Sequence, residues 1–351
     1  MAHTSKRRRR LHRVGAGLLI ALVFFVAVRL LGTATAALEP VLRRVLRTVI
    51  VADRSALGLS WLASYALANG SVVAAVSLSL FDSGVIDAAV LFSMLVGSRL
   101  GGSGVVVLIG VFDYITAETE SLRDAIRLGL LTFLLAHSVF WPAMLIGLPL
   151  VPVVQATPIE VLTAVAIPTP IEITALTDAI VAGLGPGGAF VLALTLLFGC
   201  LQAFDRLLER VDQERLRQRY ITLVASRWVA FAVGGLVTMV ATSVAFSLGV
   251  IVPLYNRGHI KREEVIPFAL GANVGTFGDT LLVALTLNTP VGVTIVVFLA
   301  AVATAVAVLA LGTGRWYTGA IERIQRRVLD HRYGFWGFLL ALVIIPVGLL
   351  L

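Results

Sequence analysis

Residues 271–280 read GANVGTFGDT, and residues 97–104 read GSRLGGSG. Both stretches interrupt apolar runs with glycine, hydroxyl, amide and charged side chains. Such residues offer a short list of chemistries. A guanidinium such as that of Arg99 forks onto the paired oxygens of an oxyanion. Glycines break helices and let backbone approach a ligand, and a freed helix N-terminus suits an anion. Asp279 can bind a cation, carry a proton, or pair with Arg99. A purely structural reading also stands: Arg99 staples two helices by pairing with Asp279 or Asp113, and the hydroxyls and amides bond between helices, each worth about 0.6 kcal/mol. No nucleophile–base pair and no metal-ligand set stands out, and Cys200 is the single cysteine. A cofactor is not expected.

The elements that hold these residues follow from composition. The chain has 351 residues, 58% hydrophobic and only 14% charged, against roughly 25% charged in soluble proteins. Runs such as 15–28, 190–199, 294–312 and 335–351 approach or reach the ~20 residues that cross a bilayer as a helix. The strand alternation of an outer-membrane barrel is absent. The expectation is an all-α integral membrane protein. The first apolar run follows MAHTSKRRRRLHR and is read as a retained targeting helix, since LGTATAALEP is a weak cleavage site. The net charge of +8 comes almost wholly from arginine. The basic N-terminus reads as a cytoplasmic anchor rather than a nucleic-acid surface.

The chain also repeats itself. GVIDAAVLFSMLVGSRLGGSG (84–104) lies over GHIKREEVIPFALGANVGTFG (258–278) without a gap. Gly97 falls on Gly271, Gly101 on Gly275 and Gly104 on Gly278, and the apolar runs follow the same 174-residue offset. Loop charge then sets the topology. The segments 56–80 and 228–254 read as re-entrant hairpins entering from opposite sides, and the two halves come out inverted, as in many secondary transporters. Arg43, Arg44, Arg47 and Arg54 sit on the wrong side for this rule, and the stretch around them reads as an interfacial amphipathic helix. The organisation is therefore a basic cytoplasmic N-terminus (1–14), transmembrane repeat 1 (15–152), an external linker with Pro and Thr (153–185), and transmembrane repeat 2 with an extra C-terminal helix (186–351). Each repeat is expected to hold a re-entrant hairpin and a helix broken at its glycine cluster.

The stretch 242–276, TSVAFSLGVIVPLYNRGHIKREEVIPFALGANVGT, resembles the type II Na⁺/phosphate cotransporter family. In that family a QSSS motif in a hairpin is followed by Asn and Gly, then Pro, then GANIGTT. Here Asn256, Gly258, Glu263, Pro267 and Gly271 to Thr276 fall in register. Thr242-Ser243-Val244-Ala245 and Ala68-Asn69-Gly70-Ser71 stand where QSSS would, and Arg99 replaces the asparagine in the first copy. The resemblance implies a divergent Na⁺-coupled importer of inorganic phosphate, or a related small anion, working by alternating access; the arginine preference and the richness in Ala, Val and Gly point to the plasma membrane of a prokaryote. Na⁺ is the coupling ion it implies, and a homo-oligomer is left open.

The residues expected at the substrate and ion site are Asn69, Ser71, Arg99, Ser103, Thr242, Ser243, Asn273, Thr276, Asp279 and Thr280, with Gly97, Gly101, Gly271 and Gly275 as structural glycines. His137 reads as a core histidine before a proton relay. The alternative function is a membrane scaffold or assembly protein that kept the fold without transport.

Overall fold

A computed structural model describes residues 2–116, 121–157, 171–209, 226–241 and 262–351, with side chains described from residue 15 onward apart from 209 and 262–264. The described residues are helical, and no strand occurs among them. In the first half α1 covers Ala2–Ala37, α2 Glu39–Val49, α3 Asp53–Ala66, α4 Gly70–Asp82, α5 Ala88–Ile115, α6 Leu122–Ala125, α7 Arg127–Gly147 and α8 Val151–Ala156. In the second half α9 covers Ile171–Glu209, α10 Arg227–Ala241, α11 Arg262–Gly275, α12 Phe277–Leu287, α13 Pro290–Gly312, α14 Arg315–Asp330 and α15 Arg332–Leu350.

Among the described residues seven segments are long and apolar enough to cross a membrane: Gly15–Ala37, Ala88–Ile115, Arg127–Ala156, Ile171–Leu208, Val265–Leu287, Pro290–Gly312 and Arg332–Leu350. This is a multi-pass membrane protein. The apolar helices Gly70–Asp82 and Arg227–Ala241 are too short to cross, because a helix rises only about 1.5 Å per residue. The linker expected at 153–185 includes the start of α9. That helix bends at Gly185, whose φ of 72° and ψ of 159° lie outside helical space and are followed by Pro186.

Contacts between helix ends sort the bundle into two faces. At one, Gly17 of α1 meets Leu207 of α9, Gly314 meets Arg227, Gln325 donates to the Arg127 carbonyl at 2.7 Å, and Arg123 lies over the Phe335 ring. At the other, Arg43 of α2 donates to the Gly84 carbonyl at 2.6 Å, Thr33 meets Thr177, and Gly58 packs on Pro346 and Leu350. The first face gathers most of the described arginines. There the amphipathic α14 buries Tyr317, Ile321, Gln325 and Leu329. Tyr317 lies 2.6 Å from the Ser138 hydroxyl, and burial pushes its phenol up to about 12, so it stays neutral.

The helix break expected at the first glycine cluster does not occur: α5 runs unbroken through GSRLGGSG. The second cluster gives only a turn at Thr276 between α11 and α12, with φ −61° and ψ −15°. The glycines have another use. A Cβ on Gly97 would stand 2.3 Å from the Leu57 carbonyl oxygen, one on Gly101 2.6 Å from that of Trp61, and one on Gly104 2.4 Å from the Tyr65 hydroxyl. They are the floor on which α3 lies. In the second half the corresponding atoms would stand 1.9 Å from the Phe231 carbonyl oxygen, 2.3 Å from that of Gly235 and 2.8 Å from the Met239 side chain. Phe231, Gly235 and Met239 are Leu57, Trp61 and Tyr65 displaced by the same 174 residues. The sequence offset is thus also an offset of contacts. Small residues serve this purpose in membranes, where close backbone approach replaces the hydrophobic drive lost in lipid.

Candidate functional site

The turn between α3 and α4 reaches the middle of α5. Ala68 takes a φ of 49°, and Asn69 caps α4 by accepting hydrogen bonds from the Ser71 and Val72 amides at 2.9 and 3.1 Å. Gly70 sits so close to α5 that a Cβ would lie 2.4 Å from the Ser98 carbonyl oxygen. The α4 N-terminus therefore rests beside Arg99. From the other half, α11 and α12 bring Asn273, Thr276, Asp279 and Thr280 to the same depth.

Beside Arg99 lies a cavity of about 370 Å³, which Asp279 and Thr280 do not line. Asn69, Ser71, Arg99, Ser103, Asn273 and Thr276 all line it, so six of the ten expected site residues are brought together. It extends along Val106 and Ile109 of α5 and Gln202 and Asp205 of α9, toward the arginine-rich face. Thr242 and Ser243 lie outside the described residues. Gly97, Gly101, Gly271 and Gly275 belong to the packing seams.

Arg99 is 7% exposed. One Nη2 donates to the Thr280 hydroxyl and lies 3.7 Å from Asp279 Oδ1. Thr280 in turn donates to the same Oδ1 at 2.9 Å. A single hydroxyl thus accepts from the cation and donates to the anion. The Phe277 ring lies beneath the guanidinium, 4.9 Å from centroid to Cζ. Such a contact is worth about 2 kcal/mol when desolvated. Arg99 Nε has no hydrogen-bond partner in the protein, and neither has Asn273 Nδ2. Buried donors are nearly always paired, so two unpaired donors on residues lining one cavity mark a place for an acceptor. By the 174-residue offset Arg99 and Asn273 are equivalent positions.

Ser103 and Thr276 donate to carbonyls of their own helices at 2.7 Å, leaving hydroxyl lone pairs toward the cavity. Thr280 is occupied between Arg99 and Asp279. His137 stacks on Phe133 with centroids 3.6 Å apart, meets Trp61 edge-on and bonds the Phe133 carbonyl through Nδ1; it does not line the cavity. Phe140, Phe277, Gln202 and Asp205 were not singled out from sequence. Phe277 sits inside the GTFGDT string, yet nothing in the spacing says its ring lies under a guanidinium 178 residues earlier. Among the described residues no group of three or more His, Cys, Asp or Glu side chains converges on a metal position.

Residues 195–345 match the family model described as Na⁺/Pi-cotransporter. Over this segment the chain is similar to the Na⁺/Pi-cotransporter family. The matched segment holds Asn273, Thr276, Asp279 and Thr280. Arg99 falls outside it and joins the Na⁺/Pi-cotransporter residues only through contact and the 174-residue offset. No curated protein and no solved structure matches the chain.

Proposed function

We propose that this protein is a secondary active transporter that takes up inorganic phosphate, or a related small oxyanion, by alternating access. The observation that carries the reading is the pair of unpaired buried donors, Arg99 Nε and Asn273 Nδ2, on two residues that line one cavity. A buried guanidinium with an unpaired Nε–H and an unpaired amide donor match an oxyanion's several acceptor oxygens. Ser71 supplies a further hydroxyl at the cavity, whereas Ser103 and Thr276 donate to an anion only by giving up their bonds to helix carbonyls. The family match supports a transporter and names Na⁺ as the coupling ion to test first.

Alternating access asks for two repeats that can rock about a central site. The shared offset of contacts supports two repeats, and the helix–turn–helix of α3 and α4, with helices too short to cross, supports a re-entrant hairpin. With the arginine-rich face inside, the halves are inverted, the N-terminus is cytoplasmic and the cavity reaches inward.

The test is counterflow. Proteoliposomes loaded with unlabelled phosphate should concentrate external radiolabelled phosphate transiently, and empty-lipid controls should not. Absence of counterflow from folded protein would remove phosphate transport and favour a scaffold that retains the fold.

A further inference from the structure

Helix α2 carries charges that the transport site does not use. The membrane-crossing run of α1 ends at Ala37. Pro40, which lacks an N–H, then breaks the hydrogen-bond ladder between α1 and α2. Helix α2 therefore starts where the crossing segment stops. It reads EPVLRRVLRTV and has no fully buried residue. Helical spacing sorts it into three strips. Leu42 and Leu46, followed by Ile50, pack half-buried against the core. Val41 and Val45 form the strip beside them and stand 59% and 52% exposed. Arg43, Arg44 and Arg47 take the remaining side. The apolar part of the helix is thus wider than the protein that covers it.

The arginines of this helix have two different positions. Arg43 donates to Glu39 and to the Gly84 carbonyl, which ties α2 to the loop between α4 and α5. Arg44 and Arg47 are exposed, and so is Arg54 in the first turn of α3. The acids of the neighbouring elements are engaged elsewhere. Glu39 is bonded to Arg43, Asp87 accepts from the Val90 amide and faces Asp53, and Asp82 interacts with Arg29 of α1.

Arginines alone would suit a funnel that gathers a free anion. A funnel has no use for bare valines on the same helix. A helix lying in the membrane interface needs both features, an apolar strip at the acyl boundary and cations among the headgroups. We propose that α2 lies in the interface with Val41 and Val45 in the acyl region, and that Arg44 and Arg47 bind the phosphate of an anionic phospholipid. A guanidinium suits that phosphate because its N–H fork matches two phosphate oxygens. With the arginine-rich end of the bundle inside, α2 lies on the outer face, where loop charge is expected to be low. Headgroup binding gives the arginines a use there. The inference depends on no property of the cavity and stands apart from the transport reading.

The experiment places an NBD fluorophore on Val45→Cys of the full chain in a Cys200→Ala background. The protein is reconstituted in phosphatidylcholine vesicles with a small fraction of spin-labelled phosphatidylglycerol or spin-labelled phosphatidylcholine, the spin label high on the acyl chain. Both lipids should quench the fluorophore. Phosphatidylglycerol should be preferred by about fivefold for each arginine engaged. Arg44→Gln combined with Arg47→Gln should bring the preference close to one. A reference label on Leu145→Cys, a position 72% exposed near the end of α7 on the same face, should be quenched equally by the two lipids. Added inorganic phosphate should leave the preference unchanged. Quenching by aqueous iodide and not by lipid would place α2 in water and overturn the proposal. Equal quenching by the two lipids in the wild-type background would overturn the anionic site. Loss of the preference on adding inorganic phosphate would overturn it in favour of a funnel for free anions. If the double arginine variant does not fold, the two lipids and the reference label still decide the matter.

Discussion

Arg99 of α5 and Asp279 of α12 come from different halves of the chain and meet with 3.7 Å between Nη2 and Oδ1, the Thr280 hydroxyl bonded to both. The contact leaves Arg99 Nε and Asp279 Oδ2 without partners.

Removing one member should cost more than removing both. Truncating one side of a buried pair strands a charge and costs about 3–5 kcal/mol, whereas replacing both by apolar groups is often close to neutral. Arg99→Met and Asp279→Leu should each lower the thermal midpoint in lipid nanodiscs, and the double variant should recover most of the loss. An additive double variant would contradict a direct pair.

The two glycine seams should answer alike. Gly97→Val and Gly271→Val should both fail to accumulate as folded protein, because their Cβ atoms would stand 2.3 and 1.9 Å from the Leu57 and Phe231 carbonyl oxygens. Gly199→Ala, with nothing within 4 Å, should be harmless. Size-exclusion profiles of detergent extracts report the difference.

Phe277 should tune affinity rather than fold. Its ring orients the guanidinium through a contact worth about 0.5–2 kcal/mol. Phe277→Leu keeps an apolar side chain there and should weaken half-saturation for phosphate by roughly 2- to 30-fold, read from concentration-dependent counterflow. An unchanged value would remove the ring from the site.

Access to the cavity should come from one face. In a Cys200→Ala background, Val106→Cys and Gln202→Cys should react with an impermeant maleimide in inside-out vesicles and stay unreacted in right-side-out ones. The reverse pattern would invert the orientation drawn from loop charge.

Much of this was legible in the chain. The seven helices long and apolar enough to cross among the described residues follow from apolar length, because lipid demands helices that satisfy their own backbone. The contact offset follows from glycine spacing, since Gly97, Gly101 and Gly104 recur at fixed distance. What the glycines do was misread. Composition cannot separate a glycine that ends a helix from one that lets another helix lie against it, and in α5 the second use wins. Arg99 and Asp279 were each visible as an anomaly, a charge where a charge costs at least ~2.5–3.5 kcal/mol. That Thr280 would bridge them and Phe277 lie beneath was not visible, because those contacts depend on how α12 rotates against α5 after the turn at Thr276.

The most direct test of the central claim is phosphate counterflow by wild type, Arg99→Lys and Arg99→Ala in the same proteoliposomes. Wild type should show it, Arg99→Lys should retain a weakened signal because the charge stays but the fork is lost, and Arg99→Ala should show none. Undiminished counterflow from folded Arg99→Ala would mean that the anion binds elsewhere and that Arg99 only holds the halves together.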